Sequence, residues 1–280
     1  MANPNYTQNK LLFAIDRMHP DEAEGKEELD RLKDGFLSSI SHELRSPLLN
    51  MKMAIHLLRN AKNSINQERY LEILQAECER EISLINNLLD LQQLEAGSYP
   101  QAVFELLDLP DWLPNILEPI RCRTDKQSQI LQINLSTNLP PLVTDSIILR
   151  RILIELLNNA CKFTPTDGDI ILSICHEQQV IGGKTAFQQL CSTSFIGSWF
   201  RSSELKGIAT FTIRNQAEIP QSELSRVFEK FYRVPQIDPC KQGGTGLGLA
   251  LVQRLVGHIR GKIQVESSGG WTTFRVWFTD

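Results

Sequence analysis

Ser39-Ile40-Ser41-His42-Glu43-Leu44-Arg45-Ser46-Pro47-Leu48 is the stretch whose reading organises the rest of this chain. It lies in a run, beginning near Glu27, in which apolar residues fall at Leu32, Phe36, Ile40, Leu44, Leu48, Met51, Ile55 and Leu58. Steps of three and four are the period of an amphipathic helix with one apolar stripe. Ile40 and Leu44 belong to the stripe, and His42, two residues from each, falls on the opposite face. An imidazole held in solvent titrates near neutral pH and is a nucleophile when uncharged. Glu43 can take or orient a ring proton, and Ser46, one turn on, can position a water. A histidine beside a glutamate is ordinarily only a solvated pair. What separates His42 from His56, His176 and His258 is its company, Phe36-Leu37-Ser38 before it and Arg45-Ser46-Pro47-Leu48 after it. Pro47 deprives the helix of a hydrogen bond and should kink it.

Outward from this segment, a polar break at Asn60 to Gln67 precedes a second helical pattern carrying Leu71, Leu74, Cys78, Ile82, Ile85 and Leu89 and ending near Gly97. Two helices joined by a short turn form an antiparallel hairpin. One hairpin has too little apolar partner surface, whereas two paired as a four-helix bundle bury both stripes, so a homodimer is expected. The organisation expected is a flexible N-terminus over 1–25, the hairpin over 26–97, a proline-spaced linker over 98–119 and a second domain over 120–280. The first 25 residues are polar and patternless, frayed or the remnant of something longer upstream.

In the second domain, Ile130 to Leu135 reads as a strand and Ser146 to Phe163 as a helix entered from Asp145. Asp169 to His176 and Gly207 to Ile213 read as strands, Ser222 to Phe231 and Leu247 to Val256 as helices, and Lys262 to Ser267 and Thr272 to Phe278 as closing strands. Strands and helices interleave without a βαβ repeat, which favours an α/β sandwich after the helical hairpin. Between the second and third strands lies Glu177 to Lys206, long for a connection and carrying a Phe195 to Phe200 cluster.

Composition sets bounds. With 280 residues, 41% hydrophobic and 22% charged, the chain can bury cores for two domains. A net charge of −4 offers no basic footprint for nucleic acid. No apolar run approaches a membrane span, and Leu11 to Ala14 is too short for a signal peptide core. The six cysteines show no C-x-x-C pair, which argues against zinc and a disulfide framework and for reduced thiols in the cytoplasm.

Two further segments carry chemistry. In Arg151-Ile-Leu-Ile-Glu-Leu-Leu-Asn-Asn-Ala-Cys-Lys-Phe-Thr-Pro165, the residues Glu155, Asn159 and Lys162 recur at helical spacing on one face. An amide oxygen can ligate a hard cation such as Mg²⁺, a lysine can meet phosphate, and Glu155 can hold a metal-bound water. Gly244-Thr245-Gly246-Leu247-Gly248 then opens a helix, where backbone N–H groups and the dipole suit phosphate. It is not a P-loop, since no Gly-Lys-Ser/Thr follows.

Together and in this order, these segments resemble the sensor histidine kinases of two-component signalling. His42 to Pro47 matches the family's H box, Glu155 to Phe163 its N box and Phe228-Glu-Lys-Phe231 its F box. Gly244 to Leu249 matches a glycine box, and Gly269-Gly-Trp-Thr-Thr-Phe274 a further one. The resemblance runs from about residue 30 to 278. It implies a dimerising hairpin with His42 as phosphoacceptor, followed by an ATP-binding sandwich of the kind found in gyrase and Hsp90-type ATPases. It further implies that Asn159 ligates Mg²⁺, Lys162 meets phosphate and Phe163 packs near adenine. Thr245 and the amides of Gly244, Gly246, Leu247 and Gly248 would cradle phosphates, with Thr273 also at the nucleotide. Phe228, Phe231, Tyr232 and Arg233 would belong to a mobile lid. Glu43 would be the general base, with Ser46 needed for phosphatase activity.

One box departs from the pattern. Where the family has Asp-x-Gly-x-Gly, this chain has Phe211-Thr-Ile-Arg-Asn-Gln-Ala-Glu-Ile-Pro220. An ungapped count puts Arg214 at the aspartate position, and a loop one residue shorter puts Asn215 there. Arginine only donates, whereas the asparagine oxygen can accept from the adenine amino group, which favours Asn215. The expected activity is therefore ATP-dependent phosphorylation of His42 and transfer to an aspartate of a response-regulator receiver domain. Attack requires an uncharged ring nitrogen, so activity should fall below about pH 6.5. The alternative expectation is a dimeric scaffold that binds a receiver domain without ATP turnover.

Overall fold

The protein's structure, a computed structural model, describes residues 41, 43–61, 63–137, 139–179, 206–235 and 245–279. His42, Gly244 and most of the long insertion (180–205) thus lie outside the described residues. The chain divides into two compact units, Met1–Ser83 and Leu84–Asp280.

In the first unit a helix (α1, 43–60) continues through Pro47, whose side chain is buried. It is followed by α2 (Ser64–Glu95), whose start is capped by Asn63, its Oδ1 accepting from the Asn66 N–H at 2.9 Å. Polar links join the two helices: Asn50 Nδ2 donates to Glu77 Oε1 at 2.9 Å, and Arg80 lies 3.9 Å from Glu43. Ala54 is buried, whereas Leu48, Ile55, Leu71 and Ile82 of the sequence-derived stripes are exposed in the single chain. The unit boundary falls within α2, so its last three turns belong to the second unit. There Leu84 and Leu91 are buried, and the helix stops where Gly97 adopts φ +67°, letting the Ser98 N–H reach Gln93 O at 2.9 Å.

The second unit is built on a five-stranded mixed sheet. Its elements are β1 (Glu105–Leu107), α3 (Leu109–Trp112), α4 (Pro114–Lys126), β2 (Ile130–Leu135), β3 (Leu142–Thr144) and α5 (Ser146–Phe163). There follow β4 (Asp169–Gln179), β5 (Lys206–Asn215), α6 (Gly248–His258), β6 (Lys262–Ser268) and β7 (Trp271–Thr279). The strand order is β2-β4-β5-β7-β6, with β2 and β4 parallel and the other pairs antiparallel. Side chains alternate across a sheet, and here one parity is buried throughout: Ile170, Leu172 and Ile174 of β4, Phe211 and Ile213 of β5, and Phe274, Val276 and Phe278 of β7. This inner face meets α5 and α6, whose own apolar residues from Leu149 to Cys161 and from Ala250 to Val256 are buried. Asp145 sets the start of α5, its Oδ1 accepting from the N–H groups of Ile147 and Ile148 at 3.0 and 2.9 Å.

The second unit departs from the sequence reading in three places. The stretch expected as a linker, 98–119, carries β1, α3 and the first turns of α4. Its prolines Pro110 and Pro114 sit in the first turns of helices, where the missing N–H has no partner to lose. Residues 222–231 do not form an α-helix. A 3₁₀ turn, Gln221–Glu223, leads into i→i+3 bonds from Arg226 to Glu223 O and from Glu229 to Arg226 O, both 2.9 Å, and Phe231 takes φ +62°, which no right-handed helix allows. Third, a two-stranded ribbon pairs β1 with β3, with Leu106 opposite Val143. No described helix is long and apolar enough to cross a membrane.

Candidate active site

The site lies in the second unit, at the end of the sheet where β4 begins and β5 ends. Helix α5 presents Glu155, Asn159 and Lys162 along one stripe, each partly exposed beside one buried neighbour. Asn158, adjacent in sequence, is drawn aside: its Oδ1 accepts from Arg123 Nη1 at 2.9 Å. The Asn159 side chain makes no hydrogen bond among the described residues, so its amide oxygen is available. Lys162 Nζ lies 4.7 Å from the centroid of the Phe163 ring.

Asn215 ends β5 on the inner face, between Ile170 and Thr272, and is only 4% exposed. Arg214 points to the outer face, where its guanidinium covers the Trp271 ring at 4.2 Å from the centroid. Phe211, Ile213 and Asn215 share the parity that goes to the core. The same alternation separates two threonines. Thr273, the residue named from the sequence, pairs with Arg214 on the outer face and is not brought to the site. Thr272 lies beside Asn215 and donates its hydroxyl to Ala217 O at 2.7 Å.

The loop after Asn215, which lacks the expected glycines, is held at several points. Gln216 accepts from the Asp169 N–H at 3.0 Å, Glu218 accepts from the Gly270 N–H at 2.8 Å, and Ser267 Oγ accepts from the Ile219 N–H at 2.8 Å. On the other side, the glycine segment meets two distant motifs. Gly248 opens α6 so close to α5 that a Cβ there would lie 2.8 Å from Glu155 Oε2. Gly246 has φ +67°, and a Cβ would lie 2.6 Å from the backbone of Phe231. The Phe231 N–H donates to Gly246 O at 2.9 Å. Phe228 meets the Phe274 ring edge-on at 6.4 Å, and Arg226 lies 4.0 Å over the Tyr232 ring. Arg233 is exposed.

Four segments far apart in sequence are thus joined by direct contacts around one end of the sheet. Burial pushes the Glu155 carboxyl above the ordinary carboxylate range, with Arg151 and Asn87 opposing the shift. Arg151 in turn donates to Asn87 Oδ1 at 3.0 Å and pairs with Asp90, so the stripe on α5 is anchored to the last turns of α2. Thr164 had no role assigned from sequence. It closes α5 by donating its hydroxyl to Ala160 O at 2.7 Å and receives Asn215 Nδ2 at 3.3 Å. In the first unit, Glu43 and Ser46 stand on α1 on either side of Arg45, Ser46 exposed and Glu43 half-buried.

Comparison with known proteins bears on the domains that carry these residues. Residues 32–97 match the His Kinase A (phospho-acceptor) domain, and residues 144–280 match the histidine kinase-, DNA gyrase B- and HSP90-like ATPase family. The circadian input-output histidine kinase CikA of Synechococcus elongatus is 34% identical over 254 residues, 89% of this chain and 30% of that protein. The autoinducer 2 sensor kinase/phosphatase LuxQ of Vibrio harveyi is 29% identical over 242 residues, 85% of this chain and 25% of that protein. The chain therefore spans less than a third of these relatives. Among solved structures, histidine kinase ThkA in complex with the response regulator protein TrrA aligns with TM-score 0.59 and 14% identity, covering 92% of this chain and 66% of that one. Full-length ShkA in complex with AMPPNP aligns with TM-score 0.55 and 22% identity, covering 87% of this chain and 45% of that one. These two likenesses concern the fold.

Proposed function

The chain belongs to the sensor histidine kinases of two-component signalling, and from that premise we propose that it transfers the γ-phosphoryl group of ATP to its own His42 and then to an aspartate of a response-regulator receiver domain. The observation that carries this reading is the convergence of the α5 stripe, Asn215 and the glycine segment on one end of the sheet. Adenine would lie against Asn215, with Phe163 beside the base, and the backbone amides of Thr245 to Gly248 would meet phosphates at the start of α6. Lys162 supplies positive charge, and Phe231, locked to Gly246, covers the phosphate side together with Arg233. The hard oxygen donor and open position of Asn159 suit Mg²⁺, which when bound neutralises phosphate charge, and Glu155 can orient a water on it.

In the transfer, a neutral ring nitrogen of His42 attacks the γ-phosphorus. The bond from phosphorus to the β–γ bridging oxygen breaks, ADP leaves with that electron pair, and Glu43 takes the ring proton. Ser46 would position the water that hydrolyses the phosphorylated regulator. Much of the rate should come from positioning and charge neutralisation, because phosphoryl transfer asks little covalent work of the protein.

The exposed stripe of Leu48, Leu71 and Ile82 supports a homodimer through a four-helix bundle. The kinase would work in the cytoplasm, where ATP and a receiver domain are at hand. A scaffold without turnover is disfavoured, since it leaves the Asn159–Lys162 stripe without purpose. A thermal shift with MgATP, compared with ATP plus chelator, checks nucleotide binding. A rise of several degrees with MgATP, smaller with chelator, is expected, and no rise in either condition contradicts the reading.

A further inference from the structure

The family's aspartate can accept through either oxygen, whatever way its carboxylate turns. Asparagine cannot: one end accepts and the other donates, so a buried asparagine that reads a base must be told which way to face. Which way it faces is set by what its neighbours can donate and accept. Here the neighbouring network closes the choice. The single hydroxyl proton of Thr164 is engaged by Ala160 O at 2.7 Å. Its oxygen can therefore only accept, and the amide group 3.3 Å away must present Nδ2 to it. The reverse orientation would set two lone-pair oxygens against each other in a place where Thr164 is 3% and Asn215 4% exposed, too buried for water to relieve the conflict. Asn215 Oδ1 then faces away from Thr164, and among the described residues nothing donates to it.

We propose that Thr164 is the positioning residue that makes Asn215 select adenine over guanine. This rests on Asn215 reading the base, as proposed above. Held by Thr164, the amide offers only an acceptor, which matches the exocyclic amino group of adenine and opposes the carbonyl that guanine carries at the same place. Released from Thr164, the amide is free to turn, and Nδ2 can donate to that carbonyl. The bond therefore sets specificity as well as closing the helix.

The test is a titration of the whole chain with MgATP and with MgGTP, for wild type, Thr164→Val and Thr164→Ser. Wild type is expected to prefer ATP by tenfold or more, as one matched against one opposed neutral hydrogen bond implies roughly such a ratio. Thr164→Val should lose about tenfold of that preference, chiefly by gaining affinity for GTP. Thr164→Ser keeps the accepting oxygen and should keep the wild-type ratio. Adding Asn215→Asp to Thr164→Val should restore the preference, because both carboxylate oxygens accept. Thr164→Ala replaces the valine variant should that fail to fold. An unchanged ATP:GTP ratio in Thr164→Val or Thr164→Ala overturns the proposal, as does an equal loss of both nucleotides, which marks a purely structural hydroxyl. Wild type that binds neither nucleotide overturns the adenine reading itself.

Discussion

Glu155 concentrates the conflicting demands on this site. Its carboxyl is pushed up by burial beside α6, against the partial support of Arg151 and Asn87. A carboxylate whose folded value is raised gives full stability below its ordinary range near pH 4 and loses it as pH rises through the raised value. Glu155→Gln removes that loss. Without nucleotide or metal it should melt higher than wild type at pH 8, and the gap should close as pH falls toward 4. A variant less stable than wild type by the same margin at every pH would show that the pairing with Arg151 outweighs burial. Gly246 makes the opposite kind of demand. Its φ of +67° and its contact with the Phe231 backbone leave no room for a methyl group. Gly246→Ala should weaken MgATP binding roughly five- to 150-fold, the equivalent of about 1–3 kcal/mol of local strain, while the melting curve stays cooperative. Affinity within twofold of wild type by calorimetric titration would contradict the close approach. At this scale the sequence was readable wherever parity applied. The alternation Phe211, Ile213, Asn215 already places Asn215 inward and Arg214 outward, but the same rule was not carried to β7. There it turns Thr272 inward beside Asn215 and Thr273 outward beside Arg214.

Among the elements, α5 was the most legible. Asp145 announces its start, and the apolar positions Ile148, Leu149, Ile152, Leu153, Leu156 and Leu157 are all buried. The segment 222–231 was misread because its helix-like apolar spacing of Leu224, Val227 and Phe228 suits successive 3₁₀-like turns equally well. The i→i+3 bonds of Arg226 and Glu229 separate the two, and Phe231, with its positive φ, is bonded to Gly246, a contact that spans residues no local window sees together. The ribbon of β1 and β3 was missed because strands of three residues carry too little alternation to detect. A link that sequence could not reveal ties α5 to α2. Arg151 pairs with Asp90, and both side chains remain partly exposed, at 30% and 18%. Asp90→Ala should therefore cost only about 0.5–1 kcal/mol, seen as a fall of a few degrees in Tm. The deficit should shrink between ~0.05 M and ~1 M salt as the pair is screened. A salt-independent loss would mean that Asp90 matters for packing or its bond geometry instead of its charge.

For the whole molecule, the stripe on the hairpin is an apolar demand left unmet among the described residues. Ile82 is 58% exposed and Leu48 54% exposed in the single chain, which the expected four-helix bundle would correct. Ile82→Glu should raise the dimer dissociation constant by about a hundredfold or more, since it buries an unpaired charge. MgATP affinity should be unaffected, because Ile82 lies in the other compact unit from the residues proposed to bind nucleotide. Sedimentation showing wild type as a monomer at micromolar concentration would contradict the bundle. The most direct test of the account as a whole is labelling with γ-³²P-ATP and Mg²⁺, wild type beside His42→Gln. Acid-labile, base-stable label on wild type and none on the variant is the predicted result. Equal label on both, or none on a wild type that still binds MgATP and is given a dimer-stabilising fusion, would contradict His42 as the acceptor.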